Sequence, residues 1–193
     1  MNDYDLMVDM EALSSYCDGV VLSLAIVPFK MKESNTLEQL LERSLYLKLD
    51  VASQRPTRKL EPDTINWWKK QSDDAKKILL PSEEDVSMSE ALDLIDAYVP
   101  KWYKFKGGIM WNRGTNYDWP LFQDMYRREN RTCPVSSWLL HDTKTMFRTL
   151  TGSLYGTYDL DSGLPKGFVA HDALHDACLE VLKVQELNRK FFS

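Results

Sequence analysis

Two apolar runs open the chain and constrain its fold more than any other feature. Residues 4–13 (YDLMVDMEAL) and 20–29 (VVLSLAIVPF) are rich in aliphatic side chains, and the turn signal Asp18-Gly19 separates them. Both runs have the length and residue types of β-strands. The chain therefore begins with two strands joined by a turn, and its remaining segments are expected to pack on the sheet to which these strands belong.

The rest of the chain alternates between strand-like and helix-like segments. Further strands are predicted at 44–51, at 107–114 between glycines, and at 136–143. Helices are predicted at 62–71, 72–80, 87–99 (ending at Pro100), 119–131 with Pro120 in the first turn, 144–150, and from about Ala170 through the 180s. Residues 151–167 are predicted to form a loop. This pattern predicts an α/β fold in one domain over residues 1–193, with a mixed five-stranded sheet flanked by helices.

Composition narrows the class of protein. The chain is 44% hydrophobic and 27% charged, as ordinary globular proteins are, and it has neither a membrane-spanning run nor a basic secretory leader. Its three cysteines are far apart, which argues against disulfides or a structural zinc site and favours a reducing cytoplasm. The net charge of −5 does not indicate a nucleic-acid binder. Basic residues nevertheless cluster locally, at Arg55–Lys59, Lys101–Lys106 and Arg127–Arg131.

The heptapeptide HDALHDA, residues 171–177, allows two interpretations. His171 and His175 are four residues apart and would share a helix face, as zinc-binding histidines do, with Asp172 as a base. Zinc would need a third protein ligand, and His141 is the one remaining histidine. In the second interpretation, His171 lies on a loop before the last helix and Asp176 lies in the first turns of that helix. His175 would then take no part in the site.

Carboxylates elsewhere favour the second interpretation. Asp9 and Glu11 are two apart on a predicted strand, so both point to one side, and such a pair resists burial unless cations or protons relieve it. Asp118 follows the predicted fourth strand, where it could also cap a helix. Together with Asp176, these acids suit two hard divalent cations, Mg²⁺ or Mn²⁺, which can hold the attacking and leaving oxygens at a phosphorus. A histidine can take the proton of the attacking water.

The order and spacing of Asp9, Glu11, Asp118, His171 and Asp176 resemble the DEDDh (DnaQ-like) 3′-5′ exonucleases, whose closing H-x-A-x-x-D motif is similar to HDALHD. The stretch TINWWKKQSDDAKK also looks like the signature of phage exonuclease A (DexA-type), exonuclease-VIII-like and related exoribonuclease proteins. The resemblance covers nearly the whole chain. It implies a ribonuclease-H-like fold and the release of nucleoside 5′-monophosphates from 3′ ends.

The resemblance also implies a role for each matching residue. Asp9 would bridge two metal ions, Glu11 and Asp176 would ligate the ion on the nucleophile side, Asp118 would hold the second ion through water, and His171 would be the general base. Many relatives carry Thr or Ser where this chain has Ala12, so a hydroxyl contact to the terminal nucleotide is lost there. The predicted substrate-binding residues are Met10, Ala12, Leu13, Trp68, Gln71 and Asn116.

Adjacent tryptophans on a helix point in different directions, so one of Trp67 and Trp68 is expected in the core and the other at the cleft, where it can stack on a base. The sequence leaves open which one, and Trp68 is our candidate for the cleft. Asn112, Arg113 and Asn116 surround the turn before Asp118 and can reach a phosphate or satisfy loop backbone groups.

We expect the partner to be a single-stranded 3′ end, DNA before RNA, and we expect no membrane. An exoribonuclease, a catalytically silent nucleic-acid-binding module and a zinc hydrolase are the alternatives. The expected location is the cytoplasm, that of the host if a phage encodes the chain. The sequence does not reveal the oligomeric state.

Overall fold

A five-stranded sheet in the order β3-β2-β1-β4-β5 organises the molecule. The computed structural model describes residues 4–103 and 108–192. The strands are β1 (Asp5–Ala12), β2 (Val21–Phe29), β3 (Leu45–Lys48), β4 (Met110–Asn112) and β5 (Leu140–Asp142). β2 is antiparallel to β1 and β3, whereas β4 is parallel to β1 and β5 is parallel to β4. The predicted mixed sheet of five strands is confirmed.

Eight α-helices surround this sheet in the described part of the chain. They are α1 (Leu37–Arg43), α2 (Val51–Gln54), α3 (Pro62–Trp68), α4 (Asp73–Lys76), α5 (Met88–Trp102), α6 (Asp118–Arg128), α7 (Thr143–Thr151) and α8 (Ala173–Phe192). Short 3-10 turns follow α4, at Lys77–Leu79, and precede β5, at Ser137–Leu139. Among these residues no helix is both long enough and apolar enough to cross a membrane.

Helices cover both faces of the sheet, which explains why β2 is buried at every position. The even-numbered residues of β1, such as Leu6 and Val8, pack with α5 and α6 in one core. Met7 belongs to the opposite core, with α1, α7 and α8. A third, smaller cluster lies beneath α3 and α4. The sequence of β1 therefore alternates between two interiors, as the period of two residues requires.

Several predictions about elements were wrong or incomplete. The strand predicted at 136–143 is confined to Leu140–Asp142, and the strand predicted at 44–51 to Leu45–Lys48. α5 does not end at Pro100 but continues to Trp102, since the missing proline N–H removes one hydrogen bond in the last turn and the N–H of Tyr103 still donates to the Val99 carbonyl at 2.9 Å. α1 and α2 were not predicted. Lys104–Lys106, in the second basic cluster, and Gly107, in the predicted fourth strand, lie outside the described residues.

The topology gathers the site at one edge of the sheet. Because β1, β4 and β5 are parallel, their carboxyl ends meet at the same edge, and loops that follow such ends commonly carry functional groups. Glu11 lies near the end of β1, and Asp118 follows β4 after a short turn. The same edge also receives the beginning of α8.

Candidate active site

Asp9 and Glu11 lie on the face of β1 that is turned towards α8. They continue the odd-numbered row of Asp5 and Met7, while the intervening Met10 is 2% exposed in the opposite core. Both carboxylates are therefore on one side, as the spacing predicts. A register shift between Glu11 and Ala12 bends the strand immediately afterwards.

Asp118 is the first residue of α6, and it faces the sheet. Its side chain is 3% exposed, and its Oδ1 accepts the N–H of Met10 at 3.2 Å. It does not cap the helix, since the N-cap position belongs to Tyr117. Burial raises the pKa of Asp118 to about 8, so desolvation outweighs its backbone hydrogen bonds.

His171 and Asp176 meet where α8 begins. The backbone of His171 is left-handed, with φ of 62°, and its N–H donates to Oδ2 of Asp176 at 2.9 Å. Asp172 accepts the N–H groups of Leu174 and His175, both at 3.0 Å, and so caps the helix. His171 thus lies on the loop before α8 and Asp176 in its first turns, as predicted.

These elements bring the five predicted residues to one place. Ligand atoms of Glu11, His171 and Asp176 all lie within 4.8 Å of one another. Burial, followed by the charges of Asp118, Glu11 and Asp176, raises the pKa of Asp9 well above its usual range. Burial and neighbouring acids likewise raise the pKa of Glu11 to about 8 and that of Asp176 to about 6. Each acid therefore lies in the field of the others.

Among the described residues no lysine or arginine forms an ion pair with these acids, and only the charge of Lys183 acts on Asp176 from a distance. Within residues 4–103 and 108–192, no salt bridge reaches Asp9, Glu11, Asp118 or Asp176. Crowded and buried carboxylates need a cation or a proton to be stable as a group. The donor set consists of oxygens plus one imidazole, which suits Mg²⁺ or Mn²⁺. The residues therefore fit a divalent metal site.

The zinc-binding pair does not form. Nδ1 of His175 accepts the N–H of Val169 at 2.9 Å, and its ring stacks on Phe168 with centroids 6.1 Å apart. His141 lies on β5 and packs against Trp111 instead. His175 therefore stabilises the loop before α8, which is more than the bystander role expected from the sequence.

The choice of Trp68 as the tryptophan at the cleft was wrong. Trp68 is 1% exposed, and its Nε1 donates to the Ala12 carbonyl at 3.0 Å, so it is a core residue that supports the end of β1. Trp67 is 41% exposed, and its ring centroid lies 4.7 Å from that of His171, edge to face. Trp67 is therefore the tryptophan beside the site.

The other predicted substrate-binding residues differ in exposure and in hydrogen bonding. The side chains of Met10, Ala12 and Leu13 are buried, at 2%, 2% and 8% exposure, so the predicted contact of these residues with a nucleotide would have to come from the backbone. The N–H of Leu13 already donates to Val20 at 2.8 Å. The amide of Gln71 donates to the Trp67 carbonyl at the end of α3, and Asn116 is exposed in the turn before α6.

Sequence reasoning missed a supporting network behind the acids. Glu180 is 5% exposed, accepts the Thr143 hydroxyl at 2.6 Å, and pairs with Arg113 at 3.2 Å. Its charge contributes to the raised pKa of Asp9 and of Asp118. The signal was present, since Asp172, Asp176 and Glu180 recur every four residues and so share a face of α8.

A cleft of about 280 Å³ opens beside His171 and Asp172. Tyr46, Lys48, Ala75 and Val169 also line it. It gives the site access from solvent between β3, α4 and the loop before α8.

Comparison with known proteins is consistent with this geometry. The family described as the 3′-5′ exoribonuclease Rv2179c-like domain matches residues 4–188. An exodeoxyribonuclease of Enterobacteria phage T4 is 30% identical over 207 residues, covering 94% of this chain and 88% of that protein.

Solved structures share the fold at lower identity. Cell-death related nuclease 4 (CRN-4) has a TM-score of 0.65 at 14% identity over 98% of this chain, which spans only 64% of the CRN-4 chain. The nuclease domain of 3′hExo, a DEDDh family member bound to rAMP, has a TM-score of 0.57 at 13% identity, with coverages of 97% and 92%. S. pombe Pop2p, in a form with Mg²⁺ and Mn²⁺ bound, also has 0.57 at 13%, with coverages of 96% and 84%.

The sheet order, the flanking helices and these neighbours confirm the predicted ribonuclease-H-like fold. The match over residues 4–188 and the phage relative extend that conclusion from fold to family. The chain therefore belongs to the 3′-5′ exoribonuclease Rv2179c-like family.

Proposed function

We propose that this chain removes nucleoside 5′-monophosphates from the 3′ end of single-stranded nucleic acid, with DNA as the preferred substrate. The observation that carries the proposal is the convergence of four carboxylates and His171 at one edge of the sheet, where no lysine or arginine of the described residues forms an ion pair with the acids. A protein that only binds nucleic acid gains nothing from such a group, because it repels phosphate.

The four acids are the proposed ligands of two divalent cations. Asp9 would be shared, Glu11 and Asp176 would complete the site next to His171, and Asp118 would serve the other ion. When bound, such ions lower the pKa of a ligated water and neutralise charge that develops on the phosphate. Pop2p, which shares the fold, has been solved with Mg²⁺ and Mn²⁺.

His171 is the proposed general base. Burial lowers its pKa below the usual 6.5, so its imidazole is neutral at pH 7 and able to accept a proton from water. Its backbone N–H is bound to Asp176, and the ring packs against Trp67, so two contacts fix its orientation. A left-handed backbone at a residue other than glycine costs about 1–2 kcal/mol, and these contacts offset that cost.

The choice of DNA rests on the phage T4 relative, whose name is exodeoxyribonuclease. The family description names exoribonuclease activity, which makes RNA the second candidate. A location in a reducing cytoplasm is also proposed, since Cys17, Cys133 and Cys178 are all free thiols.

The test uses 5′-labelled DNA and RNA oligonucleotides of matched sequence, incubated with purified protein and Mg²⁺ or Mn²⁺. We expect a ladder of products shortened from the 3′ end, faster on DNA. Faster RNA cleavage would select the exoribonuclease, and binding without cleavage would select the silent module.

Variants of β1 provide the matched control. Asp9→Asn is expected to reduce the rate by roughly a thousandfold or more, since it removes a shared metal ligand. Asp5→Asn changes the same residue type on the same face of the strand, four residues earlier, where Asp5 accepts the N–H of Ile109 at 3.1 Å and the indole N–H of Trp111 at 3.0 Å. It should retain activity. Equal rates for Asp9→Asn and the unmodified protein would refute the assignment.

A further inference from the structure

Two of the basic clusters seen in the sequence meet in the fold. Arg58, from the first cluster, and Arg127 and Arg128, from the third, all approach the carboxylate of Asp124 on α6. The distances are 3.2 Å from Nη2 of Arg58, 2.5 Å from Nη2 of Arg127 and 2.6 Å from Nε of Arg128. Residues some seventy positions apart thus meet in the fold, with Arg58 buried at 2% side-chain exposure. We call the surface above it the basic patch: Lys59, Arg127 and Arg128.

The basic patch carries more positive charge than its neighbours balance. Asp124 is shared by three guanidinium groups, and Lys59 pairs with Asp18 at 2.6 Å. In the described part of the chain these are the carboxylates that form ion pairs with the patch and with Arg58, so two positive charges remain unpaired, and the exposed Glu129 next to Arg128 offsets one of them on a protein of net charge −5. Arg127 and Lys59 present this charge to solvent, since their side chains are each 75% exposed.

Helix α6 links the patch to the active site. Asp118 is its first residue, and Arg127 and Arg128 are its last two. At 1.5 Å per residue, the helix separates Asp118 from Arg127 by about 14 Å along its axis. A stacked strand advances roughly 3.4 Å per nucleotide, so this span corresponds to about four nucleotides.

A cleft follows the outer side of the same helix. Its volume is about 580 Å³, and Cys17, Pro120, Gln123, Arg127, Arg131 and Cys133 are among its lining residues. Pro120, Gln123 and Arg127 are three and four residues apart and so share one face of the helix, whereas Asp118, two residues before Pro120, faces the sheet on the other side. The cleft therefore extends along the outer face of α6 from its first turn to its cationic end.

We propose that the basic patch binds the phosphodiester backbone of the substrate strand, about four nucleotides upstream of the 3′ end, and that the cleft along α6 carries the strand to it. This inference rests on the proposed exonuclease function and adds a binding site remote from the reacting phosphate. Arginine and lysine supply the attraction for phosphate, without reading the base sequence.

The first experiment measures binding of a fluorescent single-stranded 12-mer in EDTA, as a function of salt concentration. Arg127→Gln and Lys59→Gln each remove one exposed charge from the patch. Lys32→Gln is the matched control, since Lys32 is also exposed and follows the end of β2, where Phe29 pairs with Asp5 at the sheet edge opposite the site. Each patch variant should weaken binding about threefold to tenfold and reduce the slope of log affinity against log salt by roughly 0.7, the value for one phosphate contact on a single strand.

The second experiment separates the patch from the reaction centre. A dinucleotide cannot span about 14 Å, so its cleavage with Mg²⁺ should be unchanged in the patch variants, whereas the Michaelis constant for the 12-mer should rise. Arg127→Lys keeps the charge and should restore most of the binding. Thermal unfolding of each variant identifies any loss due to misfolding.

The proposal is overturned if Arg127→Gln and Lys59→Gln bind the 12-mer with the affinity and salt slope of Lys32→Gln. It is also overturned if dinucleotide and 12-mer cleavage decline equally. Failure of the unmodified protein to degrade any oligonucleotide would instead refute the proposed function, so the two failures are distinguishable.

Discussion

Helix α6 carries two buried aspartates, one at its first position and one just beyond its middle, and their charges are balanced in different ways. Asp118 is 3% exposed and Asp124 is 2% exposed. Three arginines surround Asp124, whereas Asp118 accepts one backbone N–H and otherwise lies among other acids. The chain thus supplies its own cations where a buried carboxylate is structural. At the candidate active site no described lysine or arginine forms an ion pair with the four acids, which leaves most of that charge to be balanced by cations from solution.

Replacing each of these two aspartates by asparagine should have the largest effect, and the two variants should differ in stability. Asp124→Asn leaves three guanidinium groups without their shared partner, and such a loss from a buried ion pair costs about 3 kcal/mol or more. Asp118→Asn removes one of several repelling acids and keeps an oxygen for the N–H of Met10, so the metal-free protein should be at least as stable as the unmodified one. Urea unfolding in EDTA measures both, and equal destabilisation of the two variants would contradict the contrast.

His171→Gln should lower the cleavage rate by about a hundredfold, the usual contribution of a general base. Because burial lowers the pKa of His171 below 6.5, the rate of the unmodified protein should fall as pH drops through that lowered value. The variant should lose this dependence. His141→Gln, on the exposed β5 histidine that packs against Trp111, is the control and should keep both the rate and the pH profile. An unaltered pH profile in His171→Gln would refute the assignment of His171 as the general base.

The metal-free protein should lose stability as pH rises. The pKa of Glu11 is raised from 4.5 to about 8 and that of Asp118 from 3.8 to about 8, so the folded chain holds protons that the unfolded chain has released. Stability is therefore highest below the unfolded values near 4 and declines between about pH 4 and pH 8.

Saturating Mn²⁺ should cancel most of this decline, since an ion that binds only the folded state stabilises it. Thermal unfolding at several pH values, with Mn²⁺ and with EDTA, is the measurement. A melting temperature that rises with pH in EDTA would show that the acids are not repelling one another.

Much of the fold could be predicted from local pattern. The two apolar runs, the spacing of Asp9 and Glu11, and the helix signals around Pro120 all express short-range periodicity, and each corresponds to an observed element. The capping box of α1, in which Thr36 and Gln39 satisfy each other's backbone N–H groups, is equally local and was overlooked. The positions of Asp118 and of His171 with Asp176 followed from the order of strands and helices combined with the family resemblance.

The rest depends on contacts that no local pattern encodes. Adjacent tryptophans on a helix point in different directions, whichever of the two is buried. Only the packing of α3 on β1 puts Trp68 in the core and Trp67 beside His171. The hydrogen bond from the Val169 N–H to Nδ1 of His175, which joins the loop before α8 to that helix, also cannot be predicted from a local pattern. The meeting of two basic segments at Asp124 is likewise a product of tertiary structure.

The most direct test of the account is the number of Mn²⁺ ions that the protein binds, measured by calorimetry or by electron paramagnetic resonance. We predict two Mn²⁺ ions per chain for the unmodified protein and for Asp124→Asn under conditions where it is folded, and loss of binding in Asp9→Asn. Unchanged Mn²⁺ binding by Asp9→Asn, or none by the unmodified protein, would contradict the claim that the acids on β1, α6 and α8 form a metal site.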